Sequence, residues 1–361
     1  MLCRRCETCR LAFTHTAGGS KISSIYLLEI IKMKAFSYTR NGAAKEVLEF
    51  SDLPDPQPGA GEMRVKIAYS GVNPSDVKRR AGTSNVLAFD RAIPNMDGSG
   101  IVDLVGPGVD ASWTGKRVWL HKTGWERPHG TGAEYAISAP NRAFELPAGT
   151  SMEVGAALGV PAMTAHRALF GAGPIAGKTV LVTGGAGLVG FYAIQLAKWR
   201  GAKVIATVSS DNKAELAKRA GADVVINYRQ ENVVELVLLN TGGAGVDHIV
   251  EVDFGANLAD SARMLAPQGV VASYASMGEP KPALPFYELM AKNVTLMPLL
   301  VYCMPEQAIA DAGADINAWL GTGKAEHHIA RRFAFEQLVD AHLAVEAVEI
   351  GKVVVCIGGE A

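Results

Sequence analysis

Cysteine is scarce: the 361 residues contain five, too few for a disulfide framework in a chain of this size. Three fall close together at Cys3, Cys6 and Cys9, and Cys303 and Cys356 stand alone. Neither sign of charge is in surplus, with 35 Lys+Arg against 36 Asp+Glu for a net −1. A chain without excess basic residues has little with which to neutralise phosphates, which argues against a nucleic-acid binder. Long apolar runs are also missing. Only Thr179–Ala197 stays uncharged for the length of a membrane span, and it carries Gly184, Gly185, Gly187 and Gly190 behind a β-branched start. It reads as strand, glycine turn and helix, which leaves no membrane segment. Nor is there a secretory hydrophobic region near the first arginines, so a cytoplasmic location is expected. What the chain does have is 48% apolar residues and 39 glycines. That excludes a disordered protein, and the length suggests two domains.

The Cys3, Cys6, Cys9 spacing suits zinc or an iron–sulfur cluster, but a fourth ligand is needed and only His15 is near. The plainer reading makes residues 1–32 an extension outside the fold, disordered or produced by an upstream start. Met33 then opens Met-Lys-Ala-Phe-Ser-Tyr, a plausible second start.

From Met33 to about Gly149 short strands alternate with turn signals. Candidates are Ala35–Tyr38, Met63–Tyr69, the stretch from Gly98, and Lys116–Leu120, with a proline-rich connector after Leu53 that excludes helix. Such spacing predicts a barrel-like β unit. After Met152 the period changes. Helical Ser151–Ala157 and Thr164–Leu169 lead into alternating strands and helices: Thr179–Thr183, Leu188–Arg200, Lys203–Val208, Asp211–Ala220, Val224–Asn227, Val233–Asn240, His248–Val252, Ala256–Leu265 and Val270–Ser273. This alternation predicts an α/β domain with a parallel sheet covered on both faces. A helix near Pro305 and a last apolar strand at Lys352–Ile357 are expected to return to the first domain.

The strand at Val180 runs into Gly184-Gly185-Ala186-Gly187-Leu188-Val189-Gly190 and a helix. Gly185, Gly187 and Gly190 match Gly-x-Gly-x-x-Gly in the required context, a dinucleotide site with pyrophosphate at the helix N-terminus. In that pattern the first glycine makes the tight turn, the second admits the pyrophosphate and the third lets helix and strand pack. The next strand ends at Val208 without the acid that holds an unphosphorylated ribose. Ser209, Ser210 and Lys213 stand there instead, favouring a 2′-phosphate and hence NADPH over NADH. Asp211 reads as an N-cap, and Lys213 also has an ordinary reading as a solvated helix residue.

Several separated segments carry a wider likeness: Ser70-Gly-Val-Asn-Pro-Ser-Asp, Asp97-Gly-Ser-Gly-Ile-Val, Met163-Thr-Ala-His-Arg-Ala-Leu, the glycine turn, and Ile226-Asn-Tyr-Arg. From Met33 to its end the chain resembles the zinc-free quinone oxidoreductase (zeta-crystallin-like) branch of the medium-chain dehydrogenase/reductase superfamily. The resemblance implies a GroES-like β-barrel domain over 33–154, completed by 303–361. It also implies an inserted Rossmann domain, a doubly wound parallel sheet, over 155–302. A homodimer is implied as well, and an apolar edge strand near Leu296–Tyr302 would favour it.

Carried over by position, Asn73 lines the substrate cleft as the candidate catalytic contact, and Thr164 lies near the nicotinamide carboxamide. Tyr228 joins Ser209 and Lys213 around the 2′-phosphate, while Phe254, Gly255, Ala275 and Ser276 flank the nicotinamide ribose. Thr164 as a helix residue and Phe254 as core are the plain alternatives. The zinc-dependent relatives' cysteine ligand is replaced by Asn73, and their His-Glu pair near Asp97 and their four-cysteine lobe have no counterpart. Two departures concern the acceptor. Asp76-Val-Lys78-Arg79-Arg80 lacks the tyrosine that often borders the substrate, and the loop His121–His129 is unlike the usual pattern.

The implied reaction is hydride transfer from NADPH to a quinone or related conjugated carbonyl, with an enone or alkenal double-bond reductase as the alternative. A non-catalytic NADPH-binding structural or regulatory protein is the reading from another class. Asp76, His121 and His129 are candidate proton relays, or simply lone surface polar residues.

Overall fold

The computed structural model describes residues 32–84 and 86–360. The cysteine triplet and the extension expected before Met33 lie outside the described residues, except that Lys32 opens the first strand, Lys32–Ser37.

Six parallel strands form one sheet, in the spatial order Val224–Asn227, Lys203–Val208, Thr179–Val182, Val246–Glu251, Leu265–Ser273, Thr295–Pro298. The first three lie in reverse chain order and the last three in forward order, so the order turns between Thr179–Val182 and Val246–Glu251. This is the doubly wound Rossmann arrangement, which binds ligands at that turning point. Strands covered on both faces must be apolar throughout, and Val180, Leu181, Val182, Val204, Ile205 and Ala206 are completely buried. The helices Leu188–Trp199 and Pro161–Phe170 pack against each other above the sheet.

The second large sheet is mixed. Strands Met63–Val72, Asp97–Val105, Arg117–Leu120 and Ala143–Glu145 pair antiparallel in that order, and Tyr135–Ser138 pairs with the first of them. Two strands from the end of the chain, Ile329–Ala334 and Lys352–Cys356, complete it. Val353 pairs with Val72, a register that sets Lys352 beside Asn73.

The helix Pro74–Ala81 follows directly. Pro74 suits its first turn, where the missing N–H is no loss. Gly82, with φ +80°, closes it in the left-handed conformation. The pattern analysis gave no helix here, nor the strand Glu49–Pro54, which runs into the proline-rich connector. The edge strand is also shorter than expected. It stops at Pro298, and a 3-10 turn, Val301–Cys303, redirects Tyr302 away from the sheet.

Candidate functional site

The glycine turn lies at the turning point of the sheet, and its glycines have other roles than the spacing suggests. The left-handed residue that makes the tight turn is Gly184, with φ +67°, not Gly185. Gly185 is needed because a Cβ there would sit 2.9 Å from the Ala206 Cβ. At Gly190 a Cβ would meet the Gly184 carbonyl oxygen at 2.4 Å, so helix and turn close upon each other only with glycine. Gly187 caps the Leu188–Trp199 helix, and beside it a Cβ would find only the Gly184 oxygen, at 3.3 Å. The first intrahelical bond runs from the Phe191 N–H to the Gly187 carbonyl. The amides of Leu188, Val189 and Gly190 therefore have no partner among the described residues, and with Ala186 they form a cradle of donors that fits a pyrophosphate.

Past the neighbouring strand, the Lys213 Nζ donates to the Ser209 Oγ at 2.8 Å. Ser210, not Asp211, is the N-cap of the Asp211–Arg219 helix, and Asp211 is its first residue. Tyr228 is exposed, and its N–H donates to the Val208 carbonyl, which places it next to Ser209. Arg229, the last residue of the Ile226-Asn-Tyr-Arg segment, is exposed beside it. Its signal was the basic residue following Tyr228. Hydroxyls with a nearby cation and no acid in the strand end suit a phosphate.

The other nucleotide-side residues converge as well. The Phe254 N–H donates to the Ala275 carbonyl at 2.9 Å. The Gly255 N–H donates to the Ser276 Oγ at 2.9 Å, which in turn donates to the Glu279 carbonyl. Phe254 also packs against the core of the parallel sheet. Thr164 is buried, and its hydroxyl donates to the Val160 carbonyl at 2.7 Å, leaving the oxygen free only to accept. Glu251 was not anticipated. It ends its strand fully buried, with one carboxylate oxygen accepting from Thr183, Asn257 and the Asp253 N–H while the other has no partner. Burial raises its pKa. An acid closing an otherwise apolar strand beside the turn was the available clue.

On the acceptor side the centre is a buried ionic network. The Lys352 Nζ donates to the Asn73 Oδ1 and to the Asp97 Oδ2, each at 2.7 Å. The Asn73 side-chain amide donates to Asp97 at 2.9 Å and to Asp76 at 3.0 Å, and its backbone N–H donates to Asp76 at 2.8 Å. Lys352 is 1% exposed and Asp97 0%. The Asp76 carboxyl is pushed up to about 7, first by burial and then by the neighbouring Asp97 charge, against which Lys352 acts. Asn73 thus corrects the expectation of a direct contact to the acceptor oxygen: both its amide hydrogens are committed to carboxylates.

Asp76 and His121 are not surface residues either; both are buried. His121 donates through Nδ1 to the Gly159 carbonyl, and burial pushes its pKa down to about 3, so the ring is neutral. His129 is half-buried and also shifted down by burial. Neither Lys352 nor Asp97 was singled out, although a charge at the start of an apolar strand is the mark of each.

Above this network the Pro74–Ala81 helix faces the parallel-sheet side. The Ser75 and Tyr302 hydroxyls share a hydrogen bond of 2.7 Å. Trp125 stacks on Tyr302 with centroids 4.5 Å apart and planes 10° from parallel. The Lys122 Nζ donates to the Tyr302 carbonyl at 2.9 Å, and the Lys78 Nζ lies 3.3 Å from the Met277 Sδ. The Ser75 and Tyr302 hydroxyls, the Trp125–Tyr302 stack and the Lys78 and Lys122 ammonium groups thus lie together, with Lys78 reaching the residue that follows Ser276. Among the described residues no group of three or more His, Cys, Asp or Glu is placed to hold a metal ion.

Comparison with known proteins agrees with this arrangement. Residues 59–157 match the alcohol dehydrogenase GroES-like domain, and residues 189–314 match the domain described as zinc-binding dehydrogenase. The quinone oxidoreductase of Rattus norvegicus is 32% identical over 301 residues, covering 82% of this chain and 89% of its own. A 2-methylene-furan-3-one reductase of Solanum lycopersicum is 33% identical over 261 residues, 69% of this chain and 67% of its own. Among solved structures, a mycobacterial protein in complex with NADPH superposes with a TM-score of 0.77 at 29% identity. That match covers 90% of this chain and all of the other.

Proposed function

The chain belongs to the quinone oxidoreductase branch of the medium-chain dehydrogenase/reductase superfamily, and from that premise we propose an NADPH-dependent, zinc-independent reductase of quinones or related conjugated carbonyls. Two groups of residues support the reading. On one side are the donor cradle at Leu188–Gly190 and the Ser209–Lys213 pair. On the other are the aromatic wall and hydroxyls at Trp125, Tyr302 and Ser75.

NADPH supplies the hydride from its nicotinamide ring. The glycine turn and Lys213 fix the phosphates, Phe254, Gly255, Ala275 and Ser276 border the ribose, and Thr164 offers its hydroxyl oxygen to the carboxamide. The Ser75–Tyr302 hydroxyl pair has one hydrogen left over from its mutual bond, which would be available to the oxygen that gains charge when the acceptor is reduced. Asn73 anchors the wall behind this pair. Zinc independence rests on the donor set: the Lys352 ammonium already supplies the cation among Asn73, Asp76 and Asp97, and a second cation there would be repelled. The exposed Phe286, Tyr287 and Met290 lie just before the Thr295–Pro298 edge strand and support a homodimer formed along that edge. The likeness to the tomato reductase keeps a double-bond reductase as a second reading.

Cofactor titrations test the assignment. NADPH binds at least tenfold more tightly than NADH, and Lys213→Ala removes most of that margin, because about 1.4 kcal/mol of phosphate contact is a factor of ten. Equal affinity for the two cofactors in the unaltered protein would refute the Ser209, Lys213 and Tyr228 assignment.

A further inference from the structure

Three cations near the Trp125–Tyr302 stack have no carboxylate as a direct partner. Lys78, one helical turn beyond Ser75, has the Met277 sulfur as its contact. Arg79 donates to the backbone carbonyls of Gly124 and Arg127, and Lys122 to that of Tyr302. Among the described residues no carboxylate lies within 4.0 Å of any of the three. The acids in the vicinity are otherwise engaged or face solvent. Glu306 is held by Arg142, Asp97 pairs with Lys352, Asp76 is bonded by Asn73, and Glu126 is exposed.

Burial first, and then the neighbouring Arg142, push the Lys122 pKa down, with Glu306 and Glu126 acting in the opposite sense. Arg80, Arg64 and Arg127, by contrast, each have a carboxylate partner, in Glu346, Asp103 and Glu62. Three half-buried cations without a carboxylate partner thus gather around the Trp125–Tyr302 stack.

We propose that the acceptor is a planar conjugated carbonyl bearing an acid group, a carboxylate or sulfonate, which pairs with Lys78 and Lys122 while its ring lies along Trp125. The proposal rests on reading this cleft as the acceptor site. An anion among these groups gains charge-assisted hydrogen bonds from donors now spent on a thioether and a carbonyl. Arg79, anchored by two carbonyls, holds the His121–His129 loop and adds to the field.

Two measurements separate this inference from the reading it builds on. The first is calorimetric binding of naphthalene-2-carboxylate and its neutral isostere 2-naphthamide, with and without NADP+. The second is NADPH oxidation with 1,4-naphthoquinone-2-sulfonate and with 1,4-naphthoquinone. The acid binds about tenfold more tightly than the amide at low salt, the size of one charge-assisted contact. Lys78→Gln and Lys122→Gln each bring that ratio toward one, whereas Lys78→Arg and the exposed control Lys45→Gln preserve it. The sulfonate-to-parent ratio of kcat/KM falls in the same two variants, through KM.

A binding ratio near one, or a ratio unchanged in both glutamine variants, overturns the proposal. Turnover of both quinones with no acid preference would refute the inference and leave the reductase reading intact. Lysine-dependent acid binding with no oxidation by either quinone would keep an anion site at Lys78 and Lys122 and overturn both the reductase reading and the anion's identity as an acceptor.

Discussion

Replacing Lys352 by Met destabilises the protein by about 3–5 kcal/mol, the usual cost of leaving a buried charge without its partner. Methionine is unbranched like the buried lysine stem, so the loss is chiefly one of charge rather than volume. The ammonium is the only cation bonded within the network, and it faces a carboxylate that is itself fully buried. The effect depends on pH in a definite sense. Asp76 and Asp97 both have folded pKa values above the unfolded ones, with burial the largest cause, and Lys352 acts against that rise in each. Removing it pushes both further up. A carboxyl raised on folding favours the unfolded state once it must ionise, so the deficit grows as pH climbs from the unfolded value through the folded one. Urea unfolding therefore shows a larger loss at pH 8 than at pH 5. Should Lys352→Met not fold at pH 8, the double variant Lys352→Met with Asp97→Asn recovers a folded protein. A loss under about 1 kcal/mol, the range of an exposed pair, and equal at both pH values would contradict this account of the network.

Gly190→Ala weakens NADPH binding by about a hundredfold, the order expected when donors move by roughly an ångström. The added methyl meets the Gly184 carbonyl oxygen at 2.4 Å and the Gly184 and Gly185 backbone at 3.0 Å. These are main-chain atoms and cannot swing aside as a flexible side chain would. The helix must lift off the turn, carrying the free amides of Leu188 and Val189 with it. Gly187→Ala is the informative contrast, because its methyl would find a single oxygen at 3.3 Å. That variant keeps the fold's thermal midpoint and loses affinity only where the phosphate must approach. Equal NADPH affinity in the Gly190→Ala and unaltered proteins would show that the turn does not hold the cofactor.

What could be read in advance was local in the chain. The glycine turn, the βα alternation from Thr179 to Ser273, and the Ser209–Lys213 pair are each defined within a few residues. Periodicity and spacing are sufficient for such features. Even there the details moved: Gly184 rather than Gly185 makes the turn, and Ser210 rather than Asp211 caps its helix, because backbone geometry decides both.

The acceptor side was illegible for a different reason. Lys352 meets Asn73 and Asp97 only because the last strand pairs Val353 with Val72, and a register between distant strands leaves no mark in local composition. Tyr302 reads as part of an apolar edge strand, but the turn after Pro298 carries it to Ser75 and Trp125 instead. Asn73 was found, but its amide is turned inward by two carboxylates that the spacing could not place. Lys78 and Trp125 were noted only as departures from a familiar pattern, and their contacts give them a meaning.

The central claim is that one cleft brings NADPH and a conjugated acceptor together for hydride transfer. Its most direct test is steady-state oxidation of NADPH at 340 nm, a wavelength given by reduced nicotinamide, by the purified full chain with a small quinone, with NADH run in parallel. The account predicts quinone-dependent oxidation that is faster with NADPH and persists after dialysis against a zinc chelator. NADPH that binds but is never oxidised, with quinones and enones alike, would contradict it and leave a cofactor-binding protein without this chemistry.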